Sequence, residues 1–124
     1  MKNLNYQTGK IGEQLAKQYL LKKQYKIVAT NFRTRFGEID LIASKNKTLV
    51  FIEVKLKTGE NSGTPEEMIN QTKIKQIRQM AEFFLQTNPQ IANTFSTYRI
   101  DAICLVLNND GSSKRITHWE NIEI

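Results

Sequence analysis

Gly37-Glu38-Ile39-Asp40-Leu41-Ile42-Ala43, followed after a polar break by Leu49-Val50-Phe51-Ile52-Glu53-Val54-Lys55, decides how this chain is read. Both runs have the apolar content of central strands, and both carry ions. Lys45-Asn46-Lys47-Thr48 separates them, with Asn46-Lys47 as a two-residue turn. Lys45 then pairs with Thr48, Ile42 with Phe51 and Asp40 with Glu53. Opposed residues share a face, and side chains alternate along each strand. One face therefore carries Glu38, Asp40, Ile42, Phe51, Glu53 and Lys55. The other carries Ile39, Leu41, Ala43, Val50, Ile52, Val54 and Leu56, and must face a core. A slip of one residue would exchange the faces, so the reading depends on register. In this register Glu38 lies opposite Lys55 and is its expected partner.

Ions inside apolar runs are costly unless compensated. A cation held by Asp40 and Glu53, beside Lys55, would compensate and would form a minimal set for phosphodiester hydrolysis. The competing reading is an edge hairpin whose Asp, Glu and Lys are solvated or salt-bridged. Asp, a spacer and Glu-x-Lys recur by chance; two apolar, correctly phased strands joined as a hairpin give the string its weight.

The chain has 124 residues, enough for one domain with its own core. It is 40% hydrophobic and 24% charged, the balance of a folded soluble protein. No run is long enough to span a membrane, and Met1–Tyr6 lacks an apolar signal segment. The single cysteine, Cys104, lies in the apolar run Ile100–Leu107 and reads as a core thiol. These features suit a reducing cytoplasm. With one cysteine and one histidine, any metal must take oxygen ligands, which favours Mg²⁺ or Mn²⁺. The net charge of +6 favours a polyanionic partner, nucleic acid being the commonest.

The remaining elements give the order α-β-β-β-α-β-β. Thr8 to about Lys23 reads as a helix, with an apolar arc of Ile11, Leu15, Ala16, Tyr19 and Leu20 and with Glu13 at its edge. Gly9 and Gly12 weaken that helix but permit close backbone approach. Lys26–Arg33 alternates as a strand. Thr58–Gly63 reads as a loop. Thr64-Pro65-Glu66-Glu67 reads as a helix start, with the helix running to about Gln86. Its arc holds Ile69, Ile77, Met80, Ala81 and Phe84, with Asn70 and Lys73 on the same side. Lys73 either reaches a phosphate or carboxylate at the charged end of the hairpin or snorkels to solvent. Tyr98–Leu107 and Arg115–Trp119 read as strands, joined by a turn at Asp110-Gly111. Arg99 and Asp101 share a face and read as a salt bridge, with bracing of the first helix or substrate contact as alternatives. His118 reads as a surface residue on an edge strand.

Gly9-x-x-Gly12-Glu13, Asn31-x-Arg33, Gly37-Glu38-Ile39-Asp40-Leu41-Ile42, Phe51-x-Glu53-Val54-Lys55, the helix around Lys73 and Arg99-x-Asp101 together resemble the YraN-type family of bacterial proteins. That family is similar in turn to Holliday junction resolvases and the PD-(D/E)xK nucleases. The resemblance implies one restriction-endonuclease-like domain over residues 1–124, a mixed sheet flanked by helices. It implies that Asp40, Glu53 and the Val54 carbonyl hold Mg²⁺ or Mn²⁺, with Lys55 as catalytic lysine and Glu13 as a further catalytic acid. Ile39 stands where the superfamily name has proline, as in the YraN-type pattern. Leu56-Lys57 replaces a usual threonine-arginine, which retains positive charge. Arg33, Arg35, Lys57 and Lys73 are expected phosphate contacts, with Glu38, Asn70, Arg99 and Asp101 in support. The implied activity is hydrolysis of DNA, branched or single-stranded, and one small site must act twice or in a homodimer to cut both strands. DNA is favoured over RNA. The alternative is a non-catalytic nucleic-acid-binding or partner-docking module on a nuclease-like fold.

Overall fold

The structure, a computed structural model, describes residues 2–59 and 63–123, with side chains from residue 9 onward. Five strands form one sheet in chain order: β1 (Lys26–Thr34), β2 (Gly37–Lys45), β3 (Thr48–Thr58), β4 (Thr97–Leu107) and β5 (Ser113–Trp119). The β1–β2, β2–β3 and β4–β5 pairs are antiparallel, while β3–β4 is parallel. The helices are α1 (Lys2–Lys22), α2 (Gln71–Thr87) and a short α3 (Pro89–Ala92). The architecture is a mixed α/β sheet with helices, consistent with a nuclease-like arrangement. No helix among the described residues is long and apolar enough to cross a membrane.

The helix α1 starts six residues earlier than the pattern predicted, in a segment free of Gly and Pro. Gln24 ends it at φ 70°, with the Tyr25 amide returning to the Leu20 carbonyl at 2.9 Å. The turn between β2 and β3 has two residues, with Asn46 at φ 55°, and Lys45 pairs with Thr48 as expected. The loop expected over Thr58–Gly63 begins with β3 still running through Thr58, and Gly59 follows at φ 71°. Its centre, Glu60–Ser62, lies outside the described residues.

The helix expected from Thr64 is corrected. Pro65–Met68 is a separate 3-10 turn, and Thr64 makes no side-chain cap. Asn70 is the true cap of α2: its side chain accepts the Lys73 amide at 2.9 Å. It is exposed at the helix entrance rather than on the buried face. Glu66, in the same segment, binds Arg115 through both carboxylate oxygens, at 2.7 and 3.0 Å, and the Trp119 indole at 3.0 Å. The Arg115 hydrogen bonds hold the Glu66 carboxyl at about 2.

Each face of the sheet has its own core. On the α1 side Ala16, Leu20 and Tyr25 pack with Leu41, Ala43, Val50, Ile52, Ile103 and Leu105. On the α2 side Ile77, Met80, Ala81 and Phe84 pack with Ile39, Ile42, Leu49, Phe51 and Ile100. Ile39 therefore departs from the face predicted by alternation. The pleat breaks beside it: Asn31, facing this part of β2, adopts φ 52°, and the β2–β3 pairing stops at Leu41. Cys104 is fully buried, and burial pushes its thiol up to about 12.

Candidate functional site

The β2–β3 ladder runs from Lys45–Thr48 to Leu41–Ile52 and ends there. Asp40 and Glu53 are thus not a ladder pair, contrary to the simple register. Past Leu41 the strands part, and the Asp40 carboxylate accepts the Val54 amide at 2.8 Å, substituting for a strand carbonyl. The two carboxylates still meet. Burial, then a hydrogen bond and repulsion from Glu53, push the Asp40 carboxyl up to about 8.

Glu53 is only 3% exposed. Lys73 Nζ stands 3.1 Å from its Oε2, an ion pair outside hydrogen-bond geometry, and that oxygen has no hydrogen-bond partner. The Asn70 cap starts α2 where its first turn can deliver Lys73 to the middle of β3. Lys73 therefore reaches a carboxylate rather than solvent alone.

A cleft of about 280 Å³ opens beside Asp40, walled by Glu13, Val54, Lys55, Leu56, Met68 and the Gly9–Gly12 turn of α1. Gly12 makes this approach possible: a Cβ there would stand 3.3 Å from Leu56 Cδ1. No such contact constrains Gly9. Glu13 accepts from Asn31 Nδ2 at 3.0 Å, while burial and the charge of Asp40 raise its carboxyl above the usual range. Lys55 shares the cleft, and its charge draws the Asp40 carboxyl down against the larger effect of burial. The cleft thus gathers Glu13, Asp40 and Lys55, with Glu53 and Lys73 packed on the α2 side of Asp40. Met68 was missed, since an exposed apolar side chain outside any motif gives no sequence signal.

The expected Glu38–Lys55 pair does not form. With β2 and β3 parted, Glu38 pairs across the other ladder with Arg33, at 3.3 Å. Arg33 and Arg35 sit at the β1–β2 tip, Lys57 near the end of β3.

His118 is a second correction. It is 6% exposed at the side chain, with Nε2 at 2.7 Å from Asp101 Oδ2 and Nδ1 at 3.2 Å from the Tyr19 hydroxyl. Asp101 is wholly buried and also accepts from the Arg99 side chain and the Asn121 amide; Arg99 donates onward to the Tyr25 hydroxyl at 2.7 Å. The Arg99–Asp101 salt bridge forms as read from their spacing. The missed signal was Asp101 itself: a carboxylate in the otherwise apolar run Ile100–Leu107 requires partners, and the histidine of the neighbouring strand was available.

Among the described residues, no three Asp, Glu, His or Cys side chains converge as a metal site. The family model described as "Uncharacterised protein family UPF0102" matches residues 12–105. A UPF0102 protein of Syntrophomonas wolfei is 39% identical over 118 residues, covering 95% of this chain and 98% of its own. One from Alkaliphilus oremlandii is 42% identical over 118 residues with the same coverage. One from Clostridium novyi is 37% identical over 121 residues, 98% of each chain. With the match spanning both strands of the hairpin, α1 from Gly12 and most of β4, the chain belongs to the UPF0102 family, the YraN-type family its motifs resemble.

Proposed function

We propose that this protein is a metal-dependent nuclease that hydrolyses phosphodiester bonds in DNA, branched or single-stranded, in the cytoplasm. One observation carries the reading: two carboxylates, Asp40 and Glu53, are forced together in a mostly buried site beside Lys55. They fit a hard divalent cation such as Mg²⁺ or Mn²⁺. The donors are all oxygen, and Glu53 Oε2 is buried without a hydrogen bond. Asp40 would give up its proton to ionise beside the cation. Asp40, Glu53 and the Val54 carbonyl would hold it, and when bound it would polarise the scissile phosphate and lower the pKa of a water.

The chain's own groups supply the rest. Lys55, in the cleft beside Asp40, orients the attacking water or stabilises charge developing on the phosphate. Glu13, held by Asn31, positions a second water. Arg33, Arg35 and Lys57 hold backbone phosphates, which positions the strand without reading its sequence, while Lys73 is engaged by Glu53.

The test is a panel of single-stranded, duplex, flap and four-way-junction DNA, with RNA, in Mg²⁺ and in Mn²⁺. Cleavage abolished by EDTA and by Glu53→Ala is expected. Equal cleavage by wild type and Glu53→Ala refutes it.

The Lys73–Glu53 ion pair favours a second reading. Lys73 neutralises Glu53 without any cation, as a non-catalytic nucleic-acid-binding module would require. That reading predicts salt-sensitive binding with no metal-dependent turnover.

A further inference from the structure

The β1–β2 turn presents an aromatic ring that packing does not explain. Phe36 is 52% exposed at the tip, and the Arg35 guanidinium lies over its ring, 5.0 Å from the centroid. The tip is held in place. The Phe36 amide donates to Thr34 Oγ1 at 3.0 Å, and the Gln76 side-chain amide of α2 donates to the Phe36 carbonyl. Gly37, at φ +144°, adopts a backbone conformation suited to glycine, and a Cβ there would collide with Gln76.

Phe36 faces α2 across an open groove of about 280 Å³, whose other walls are Gln79, Glu82, Phe83 and Gln86. Those positions follow helical spacing and form one outward stripe. Phe83 is exposed too, and its ring leans on Phe32 with centroids 6.3 Å apart. Two exposed rings, with two amides and a carboxylate between them, suit one ligand chemistry. Rings stack on the face of a nucleobase, while amides and carboxylates bond to its edge. Arg33 and Arg35 on the same tip supply charge for flanking phosphates. Gly37 and Asp40 lie three residues apart on one strand, about 10 Å.

We propose that the groove between the β1–β2 tip and α2 binds an unpaired nucleobase, stacked on Phe36, of the strand held at the carboxylate site. This rests on the nuclease reading and narrows it to substrates with single-stranded character, because a base inside a duplex offers no free face.

The test titrates the full chain, in Ca²⁺ and with gels confirming intact DNA, against a single-stranded oligonucleotide carrying 2-aminopurine and against the same sequence as a blunt duplex. Wild type should bind the single strand more tightly and quench the probe. Phe36→Ala should bind the single strand more weakly, on the order of 5- to 150-fold, with duplex affinity unchanged and circular dichroism matching wild type. Phe36→Trp should retain the binding and the quenching. Unchanged single-strand affinity in Phe36→Ala, or equal losses on both DNAs, overturns the groove alone. A wild type that binds neither DNA overturns the nuclease reading and the groove with it.

Discussion

Asp40→Asn should make the folded chain more stable near neutral pH, by an amount that grows with pH. Burial and the adjacent Glu53 carboxylate hold Asp40 at about 8, against 3.8 for the free side chain. Between those values the folded chain keeps a proton that the unfolded chain has released, so wild-type stability falls as pH rises. Each pH unit is worth about 1.4 kcal/mol. The roughly three units between the free value and neutrality therefore set an upper bound of about 4 kcal/mol. Side-chain relaxation and water entry lower such penalties, which leaves about 2 kcal/mol. Asparagine keeps the shape and an oxygen to accept the Val54 amide. Its NH₂ can donate to Glu53 as a protonated Asp40 does, so only the titration is removed. The assay is urea denaturation followed by far-ultraviolet circular dichroism at pH 4.5, 6, 7 and 8, with m-values compared. The stability gain of Asp40→Asn should widen by about 2 kcal/mol from the lowest pH to the highest. A gain that stays flat across that range refutes the reasoning, because the folded chain would then hold no extra proton. Mg²⁺ supplies a second arm. A cation bound only by the folded chain stabilises it, so at pH 8 Mg²⁺ should raise wild-type stability and leave Asp40→Asn unmoved.

Lys73→Met removes the counter-charge of Glu53. A fully buried pair broken from one side costs about 3–5 kcal/mol. Lys73 is partly exposed, and solvent screening reduces the expected loss to about 1–2 kcal/mol. Thermal melts should show Glu53→Gln in the same chain restoring most of it; strict additivity would rule out the coupling. Asp101→Ala strips Arg99 and His118 of a buried carboxylate and should cost about 3–5 kcal/mol in urea at pH 7. Burial pulls the Asp101 carboxyl up, but hydrogen bonds from His118, Arg99 and the Asn121 amide outweigh it and hold it below the usual range. Its stabilisation is present above the ordinary carboxylate value and is lost as pH falls through the folded one. Acid unfolding should therefore set in below about pH 4 and be weaker in Asp101→Asn. Phe84→Ala removes a buried ring packed edge-on to Phe32 and Phe51 and should cost about 3–5 kcal/mol, read as a shifted urea midpoint.

Much of this arrangement was legible in the chain. The pairing of Lys45 with Thr48 and Ile42 with Phe51 follows from a two-residue break between alternating strands, since any slip exchanges a wholly apolar face with a charged one. The Arg99–Asp101 bridge follows from a spacing of two on one strand. What alternation could not show is where a ladder stops. Asp40 takes a backbone amide with its side chain, and a side chain standing in for a strand carbonyl leaves no trace in a period-two pattern. Asn70 misled for a related reason. Thr-Pro-Glu-Glu satisfies the rules for a helix start, yet the tertiary ties of Glu66 to Arg115 and Trp119 claim that segment, and α2 begins anew at Asn70.

By itself the sequence determined the strands, the register beside the turn and the presence of two long helices. These follow from local periodicity and turn chemistry. Only the tertiary structure decided the remaining ion partners: Glu38 with Arg33, Glu53 with Lys73 and Asp101 with His118. Long side chains reach whichever counter-charge the packing brings near. That depends on how β2 and β3 part and how the helices lie across the sheet, which no single segment of the chain encodes.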